Sequence, residues 1–283
     1  MITFNELGKY GRLGNQLFQY AALRALSLKK EYEISLPLLE DKVWHGQKCL
    51  LGNFTIITNY SSFSPSYTYS ESSLTKFDPN FFDLPDGVNL HGFFQNLEYF
   101  DKYKEIICKE LTLKSSYLNQ AQTLLSNYQS SYPDYKLVTL HIRRGDNITV
   151  NGGFISLFGS DSTKLDPNSP WAIYFNNAKK IFGEKTKYLV FTGGNRDNND
   201  QADLDWVTNN LGSECILAST LDPLLDYALI YLCSNNILSY ASSFGWWASY
   251  SNLDPNKKIV MPKNYFVDGQ DTTRLTPKNW ITI

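Results

Sequence analysis

His141-Ile142-Arg143-Arg144-Gly145-Asp146 closes an apolar run, Leu137-Val138-Thr139-Leu140. A short β-branched run that stops in a glycine turn reads as a buried strand whose carboxyl end opens onto a loop. In open α/β sheets that end is where ligands sit. Two adjacent arginines are costly to leave there unpaired, and their planar guanidinium forks suit bidentate hydrogen bonds to phosphate. A diphosphate is the natural partner. Side chains alternate across a strand, so Arg143 and Arg144 reach one phosphate together only once the turn has begun, and Gly145 permits that turn. A plainer reading fits the same letters. Arg144-Gly145-Asp146 spells an adhesion tripeptide, and an Arg beside an Asp is often a surface ion pair worth little.

Composition narrows the choice. At 283 residues the chain holds one large domain or two moderate ones. With 42% hydrophobic and 19% charged residues it is globular and free of disorder bias. The 19 Tyr and 6 Trp suit stacking on pyranose faces, although aromatic cores are commoner. A net charge of −2 argues against nucleic acid as a partner, since that needs a basic footprint. Cys49, Cys108, Cys215 and Cys233 are scattered with no Cys-x-x-Cys pair, which fits a reducing compartment better than a disulfide framework. No stretch approaches the roughly 20 apolar residues of a membrane span, and Met1-Ile2-Thr3-Phe4-Asn5-Glu6 lacks the basic and apolar regions of a signal peptide. A cytoplasmic protein is expected, at most peripheral on a membrane.

Along the chain, Ile2-Thr3-Phe4 reads as a strand, Gly8, Gly11 and Gly14 as a loop, and Leu17, Tyr20, Ala21, Leu23, Ala25 and Leu26 as a helix packed on both sides. The glycine spacing is not Gly-x-Gly-x-x-Gly, so a dinucleotide fingerprint is not supported. Glu33-Ile34-Ser35-Leu36 follows as a second strand. Between Pro37 and Pro85 there is no sustained period, which predicts loops and short helices. Val88 to Phe94 alternates as a strand does, and two amphipathic helices follow, around Ile106–Leu111 and Leu118–Tyr128. Ser130-Ser131-Tyr132-Pro133-Asp134 breaks the pattern and marks a domain boundary, giving domains 1–133 and 134–283. Residues 151–170 form a long polar segment, of a kind that is usually functional. Beyond it, strands at Tyr188–Phe191, Cys215–Leu217 and Ile237–Ser239 alternate with helices, the mark of a parallel sheet. Ser242-Ser243-Phe244-Gly245-Trp246-Trp247 follows a strand and opens a helix, so backbone N–H groups and hydroxyls converge on a ready anion site; Ser-Ser is also a common plain N-cap.

Taken together, these motifs resemble those of the inverting alpha-1,2-fucosyltransferases. His141-x-Arg143-Arg144-Gly145-Asp146 looks like the donor motif. Gly11-Arg12-Leu13-Gly14-Asn15-Gln16 is similar to the amino-terminal signature, and also to that of the protein O-fucosyltransferases. His91-Gly92-Phe93-Phe94-Gln95 with Tyr99-Phe100, the Ser242–Trp247 stretch, Asn256 to Pro262 and Trp280-Ile281 match further family segments. The resemblance implies a GT-B-like α/β fold of two Rossmann-like domains facing across a cleft, with the second binding GDP-fucose and a tail that packs back on the first. It implies catalytic roles for Arg143 and Asn15, and makes Arg12 a further candidate contact to the donor. Donor contacts follow for Gly14, His141, Arg143, Arg144, Asp146, Ser242, Ser243 and Phe244, with Asp146 anchoring the arginines. His91 and Gln95 point toward the acceptor, a galactoside that receives fucose on its 2-hydroxyl. A lone His near a strand is more often a satisfied structural residue.

No cofactor and no metal are expected, because no Asp-x-Asp pair sits at a strand end. Relatives anchored in the secretory pathway carry an amino-terminal membrane segment, whereas this chain opens on its first strand, which suggests glycans assembled on the cytoplasmic face of a membrane. Phe191-Thr192-Gly193-Gly194 departs from the family's Phe-Ser-Asp-Asp: either Asp197 and Asp200 rebuild the loop, or the nucleotide contact is lost. A transferase for another nucleotide sugar and a glycan-binding protein without catalysis are the competing readings.

Overall fold

The computed structural model describes residues 1–61, 63–74, 76–145, 155–193, 200–266 and 269–283. The chain forms two compact units, Met1–Lys114 with Asp271–Lys278, and Ser115–Gln270 with Asn279–Ile283. Both are parallel α/β, as the sequence predicts. The division falls before Ser115 rather than at 133. Although the turn-rich break at Ser130–Asp134 is real, the helix ahead of it packs within the second unit.

In the first unit, β1 (Ile2–Thr3) leads through a glycine loop into α1 (Leu13–Lys30), then β2 (Ile34–Ser35), a hairpin of β3 (Val43–Trp44) and β4 (Gln47–Lys48), β5 (Tyr67–Ser70), β6 (Val88–His91) and α2 (Lys104–Glu110). The sheet order is β2-β1-β6-β5, all parallel. Helix α1 is buried almost all round, which its Leu, Ala and Phe content allows. It ends where Glu31 turns left-handed at φ 58° and donates its N–H back to Ser27. Strand β5 and the hairpin fall within the stretch expected to hold only loops and short helices. Tyr67-Thr68-Tyr69-Ser70 is an edge strand with little burial, so it carries no apolar alternation to read.

The second unit runs α3 (Ser115–Ser131), β7 (Lys136–His141), α4 (Ile155–Phe158), α5 (Pro170–Phe182), β8 (Thr186–Phe191), α6 (Asp200–Asn210), β9 (Cys215–Leu217), α7 (Pro223–Leu232), β10 (Asn235–Ile237), α8 (Ser243–Ser251), β11 (Lys258–Met261) and β12 (Ile281–Thr282). Helices α5 and α7 start as local chemistry dictates, with Ser169 and Asp222 accepting first-turn N–H groups ahead of a proline. The sheet order is β12-β11-β10-β7-β8-β9, again all parallel. Counted within the unit, this is third, second, first, fourth, fifth, sixth read from the β9 edge, the doubly wound Rossmann order. The core beneath it is aromatic: Phe158, Trp171, Phe175, Tyr188 and Trp206 pack with Val138, Leu140, Val190 and Val260. Among the described residues no helix is long and apolar enough to cross a membrane.

Asp226, buried on α7, accepts hydrogen bonds from the Thr220 N–H (2.8 Å) and hydroxyl (2.7 Å). Burial nevertheless pushes its carboxyl up to about 6. A folded-state pKa above the unfolded value favours folding fully only below the unfolded value, and that contribution is lost as pH rises through about 6. Asp226→Asn keeps an acceptor for Thr220 without the charge. It should therefore stabilise the protein at pH 8 by at most about 3 kcal/mol, with the gain fading as pH falls from 6 to 4. Urea denaturation across that range checks it.

Candidate active site

The doubly wound order places its switch point between β7 and β10, which pair in parallel register through Thr139↔Asn236 and Leu140↔Ile237. Connections leave these two strands toward opposite sides, so a crevice opens at their carboxyl ends. The arginine motif rises from β7 and the Ser-Ser turn from β10. Hydrogen bonds from Arg143 join them. The Arg143 N–H donates to Ser239 Oγ at 2.8 Å, and the Arg143 guanidinium donates to the carbonyl of Ala241. Ala241 is held left-handed at φ 46°, which turns the chain into α8. Ser242 caps that helix by accepting the Gly245 N–H at 3.4 Å, so the plain capping role and the site coincide. Ser243 opens the helix, and its first-turn amides and dipole favour an anion.

His141 lies under this corner, 9% exposed, its ring against Phe244 at 5.5 Å between centroids. A Cβ at residue 245 would stand 3.0 Å from His141 Nδ1, so Gly245 is what lets α8 approach the imidazole. That Nδ1 has no hydrogen-bond partner among the described residues. Burial, helped by the Arg143 charge, drives the imidazole down to about 3. It is neutral at any working pH, a hydrogen-bonding group rather than an acid.

Arg144 goes elsewhere. It is buried, with its guanidinium 4.0 Å from the Trp206 ring centroid and 5.2 Å from that of Phe158. Its Nη2 donates to the Ser162 carbonyl at 2.7 Å and its Nε reaches Asp203 at 3.4 Å. Asp203 also accepts the Gly145 N–H at 2.9 Å. Just beyond the end of β7 the two arginines thus part, with Arg143 bonded to the β10–α8 turn and Arg144 in the core beside α6. The acid that anchors Arg144 is Asp203, which lies on a helix without a clear apolar stripe to announce it. Burial raises Asp203 and lowers Arg144 despite their pairing, so desolvation outweighs the mutual attraction. Asp146, expected as the anchor, lies outside the described residues.

At the end of β8 the Thr192 N–H donates to Ser219 Oγ at 2.6 Å. A Cβ on Gly193 would stand 3.3 Å from Asp200 Oδ1, so α6 returns a carboxylate to the strand end where the sequence has glycine. Asp197 is outside the described residues.

In the first unit, β1 and β6 are parallel neighbours at the middle of the sheet and end side by side. At their carboxyl ends, Gln95 Nε2 donates to Asn15 Oδ1 at 2.8 Å, which brings two of the expected residues together. Gly11, at φ 90°, is required: a Cβ would fall 2.6 Å from the Asn15 side chain. Gly14 is buried in the first turn of α1, and Arg12 supplies the carbonyl that accepts the Asn15 and Gln16 amides. His91 closes β6 with its ring stacked on Tyr10. A residue the sequence did not flag supports this corner: Glu71 accepts the N–H groups of Phe93 (2.8 Å) and Phe94 (3.1 Å), holding Phe94 left-handed at φ 54°. Among the described residues, no group of three or more His, Cys, Asp or Glu is placed to hold a metal ion.

The sequence profile of glycosyl transferase family 11 matches residues 2–283. The O-antigen biosynthesis glycosyltransferase WbnK of Escherichia coli is 25% identical over 202 residues, covering 71% of this chain and 62% of that protein. Galactoside alpha-(1,2)-fucosyltransferase 1 of Rattus norvegicus is 26% identical over 262 residues, covering 85% of this chain and 61% of the relative. The chain spans about three fifths of the length of these curated relatives. Among solved structures, the fucosyltransferase NodZ from Bradyrhizobium superposes with a TM-score of 0.52 at 12% identity, over 87% of this chain and 91% of that one. This likeness is one of fold.

Asp203 offers the sharpest test of the corner. Asp203→Ala leaves a buried guanidinium without its counter-charge and should destabilise the protein by about 3–5 kcal/mol. Asp203→Asn, which still accepts from Gly145, should lose less. Chemical denaturation of the two variants separates them.

Proposed function

The chain belongs to glycosyl transferase family 11, and from that premise we propose that it transfers L-fucose from GDP-fucose, with inversion, to the 2-hydroxyl of a galactoside. One observation carries the reading: Arg143 is fixed on the turn that leads from β10 into α8, at the Rossmann switch point. A guanidinium and a helix amino terminus aimed at one crevice suit the diphosphate of a leaving nucleotide. As the sugar bond breaks, the new charge on GDP is stabilised by these groups, the task a divalent cation performs elsewhere. We therefore propose a metal-independent transfer. His141, neutral and buried beneath Gly245 and Phe244, shapes the donor corner from below. The Asn15–Gln95 pair contributes contacts to the transferred sugar and the acceptor.

The names of the relatives support the acceptor class, one being a galactoside alpha-(1,2)-fucosyltransferase and another a glycosyltransferase of O-antigen biosynthesis. All four cysteines are free thiols, which supports a reducing compartment and glycans built at the cytoplasmic face of a membrane. A different nucleotide sugar is favoured only by the glycines after β8, and Asp200 offsets that departure.

Purified protein given GDP-fucose and a beta-galactoside disaccharide in excess EDTA should yield an alpha-1,2 linkage by NMR. A product at another hydroxyl would sink the acceptor assignment, and activity restored only by Mn²⁺ would sink the metal-independent mechanism. Arg143→Ala should bind GDP on the order of ten- to a hundredfold more weakly by calorimetry and lose most turnover. Arg143→Lys should also fail, because an ammonium lacks the fork. Wild-type turnover in either variant would remove Arg143 from the mechanism.

A further inference from the structure

Tyr10, Trp44, His91 and Phe93 come from three segments well separated in sequence and meet as one group of rings in the first unit. Tyr10 is the centre. It stacks on Phe93 (4.5 Å, 20°) and on His91 (5.0 Å, 29°), and takes Trp44 edge-on (5.8 Å, 83°). Trp44 is delivered by the β3–β4 hairpin, whose turn, His45-Gly46, has φ of 46° and 76°, the left-handed pair that a two-residue hairpin loop needs.

Two observations set this group apart from ordinary core packing. The nearby rings of Phe81, Phe94, Tyr99 and Phe100 are fully buried, whereas Tyr10, Trp44, His91 and Phe93 each keep part of their surface open. The group also stands beyond the carboxyl ends of β1 and β6, the two central strands of this sheet, and that is the end at which ligands bind in open α/β folds. The Asn15–Gln95 pair belongs to the same two segments and supplies polar groups beside the rings. Partly open aromatic surface with a few convergent polar groups is the composition of a small-ligand site.

We propose that Trp44, braced edge-on by the Tyr10–Phe93 stack, forms a stacking platform for the apolar face of a galacto-configured pyranose in the glycan acceptor. In such a ring the axial 4-hydroxyl leaves the C3, C4 and C5 hydrogens uncovered on the opposite face, a flat apolar patch that suits an aromatic ring. Trp44 is then a specificity-determining residue carried on a hairpin rather than on the Rossmann framework. This assignment rests on the fucosyltransferase reading for its acceptor but not for its measurement.

Saturation-transfer NMR of the full chain with methyl beta-D-galactopyranoside, without donor, should show the strongest transfer at H3, H4 and H5. Trp44→Ala should abolish that pattern, raise the acceptor KM roughly tenfold and leave GDP affinity unchanged. Trp44→Phe should recover most of the loss. Circular dichroism confirms that both variants fold, which the partly open hairpin position favours. Unchanged transfer and KM in Trp44→Ala, or a loss confined to kcat, would overturn the platform. If the wild type fails to use GDP-fucose yet shows the galactoside pattern, the donor reading falls and the platform stands.

Discussion

The tie between β7 and β10 is the constraint on which the second unit depends. Doubly wound sheets leave their central strands without a shared crossover at the switch point, so the carboxyl ends are free to diverge. Here Arg143 closes that gap with its backbone N–H on Ser239 and its guanidinium on Ala241. Lower down, Thr139 Oγ1 donates to Asn236 Oδ1 across the same pair of strands. The crevice is therefore edged by groups already fixed in place, which is what electrostatic stabilisation of a leaving group requires.

Fixing α8 at one end would mean little if it could rotate about the other. At its carboxyl end Lys257 is buried, and its ammonium donates to the carbonyls of Ser249 (2.7 Å), Tyr250 (3.2 Å) and Asn252. A cation on the last carbonyls complements the negative end of the helix dipole. Along its length Trp246 stacks on Tyr250 and packs edge-on or tilted against Trp247 and Trp280. The tryptophan pair of the motif thus serves as packing that orients the helix and its amino terminus.

Much of this was legible in the sequence because it is local. Strands rich in β-branched residues, glycine turns and proline-led helix starts are read from neighbours a few positions apart, and β7, β8 and β9 lie where their patterns say. Strand β10 sits two residues earlier than its apolar run suggests, because Ser239 leaves the sheet to accept from Arg143. What the sequence hid is long-range. Asp203 stands 59 residues from Arg144, on a helix whose buried positions, Asp203, Trp206 and Val207, include a carboxylate. No spacing rule links them. Helix α3 likewise gives no sign in its own letters that it belongs with the second unit, since that follows from packing against α7.

The two units differ in how their sites are encoded, and the difference is physical. The second builds its corner from backbone geometry at strand and helix ends, which short motifs specify: His141, Arg143, Ser242 and Gly245 each answer to a steric or hydrogen-bonding demand of the turn they occupy. In the first, Gly11 and Asn15 obey the same kind of local rule, but the surface beside them is assembled from side chains. Tyr10, Trp44 and Phe93 meet only after β1, the hairpin and β6 have folded, and Glu71 holds the Phe93-Phe94 turn from another strand's end. Stacked rings tolerate exchange of one aromatic for another more readily than a left-handed turn tolerates a side chain. A hairpin is also cheaper to alter than a sheet. On the function we propose, the chemistry of bond breaking is thereby separated from the choice of glycan, the first resting on backbone that admits few residues and the second on rings presented by a loop.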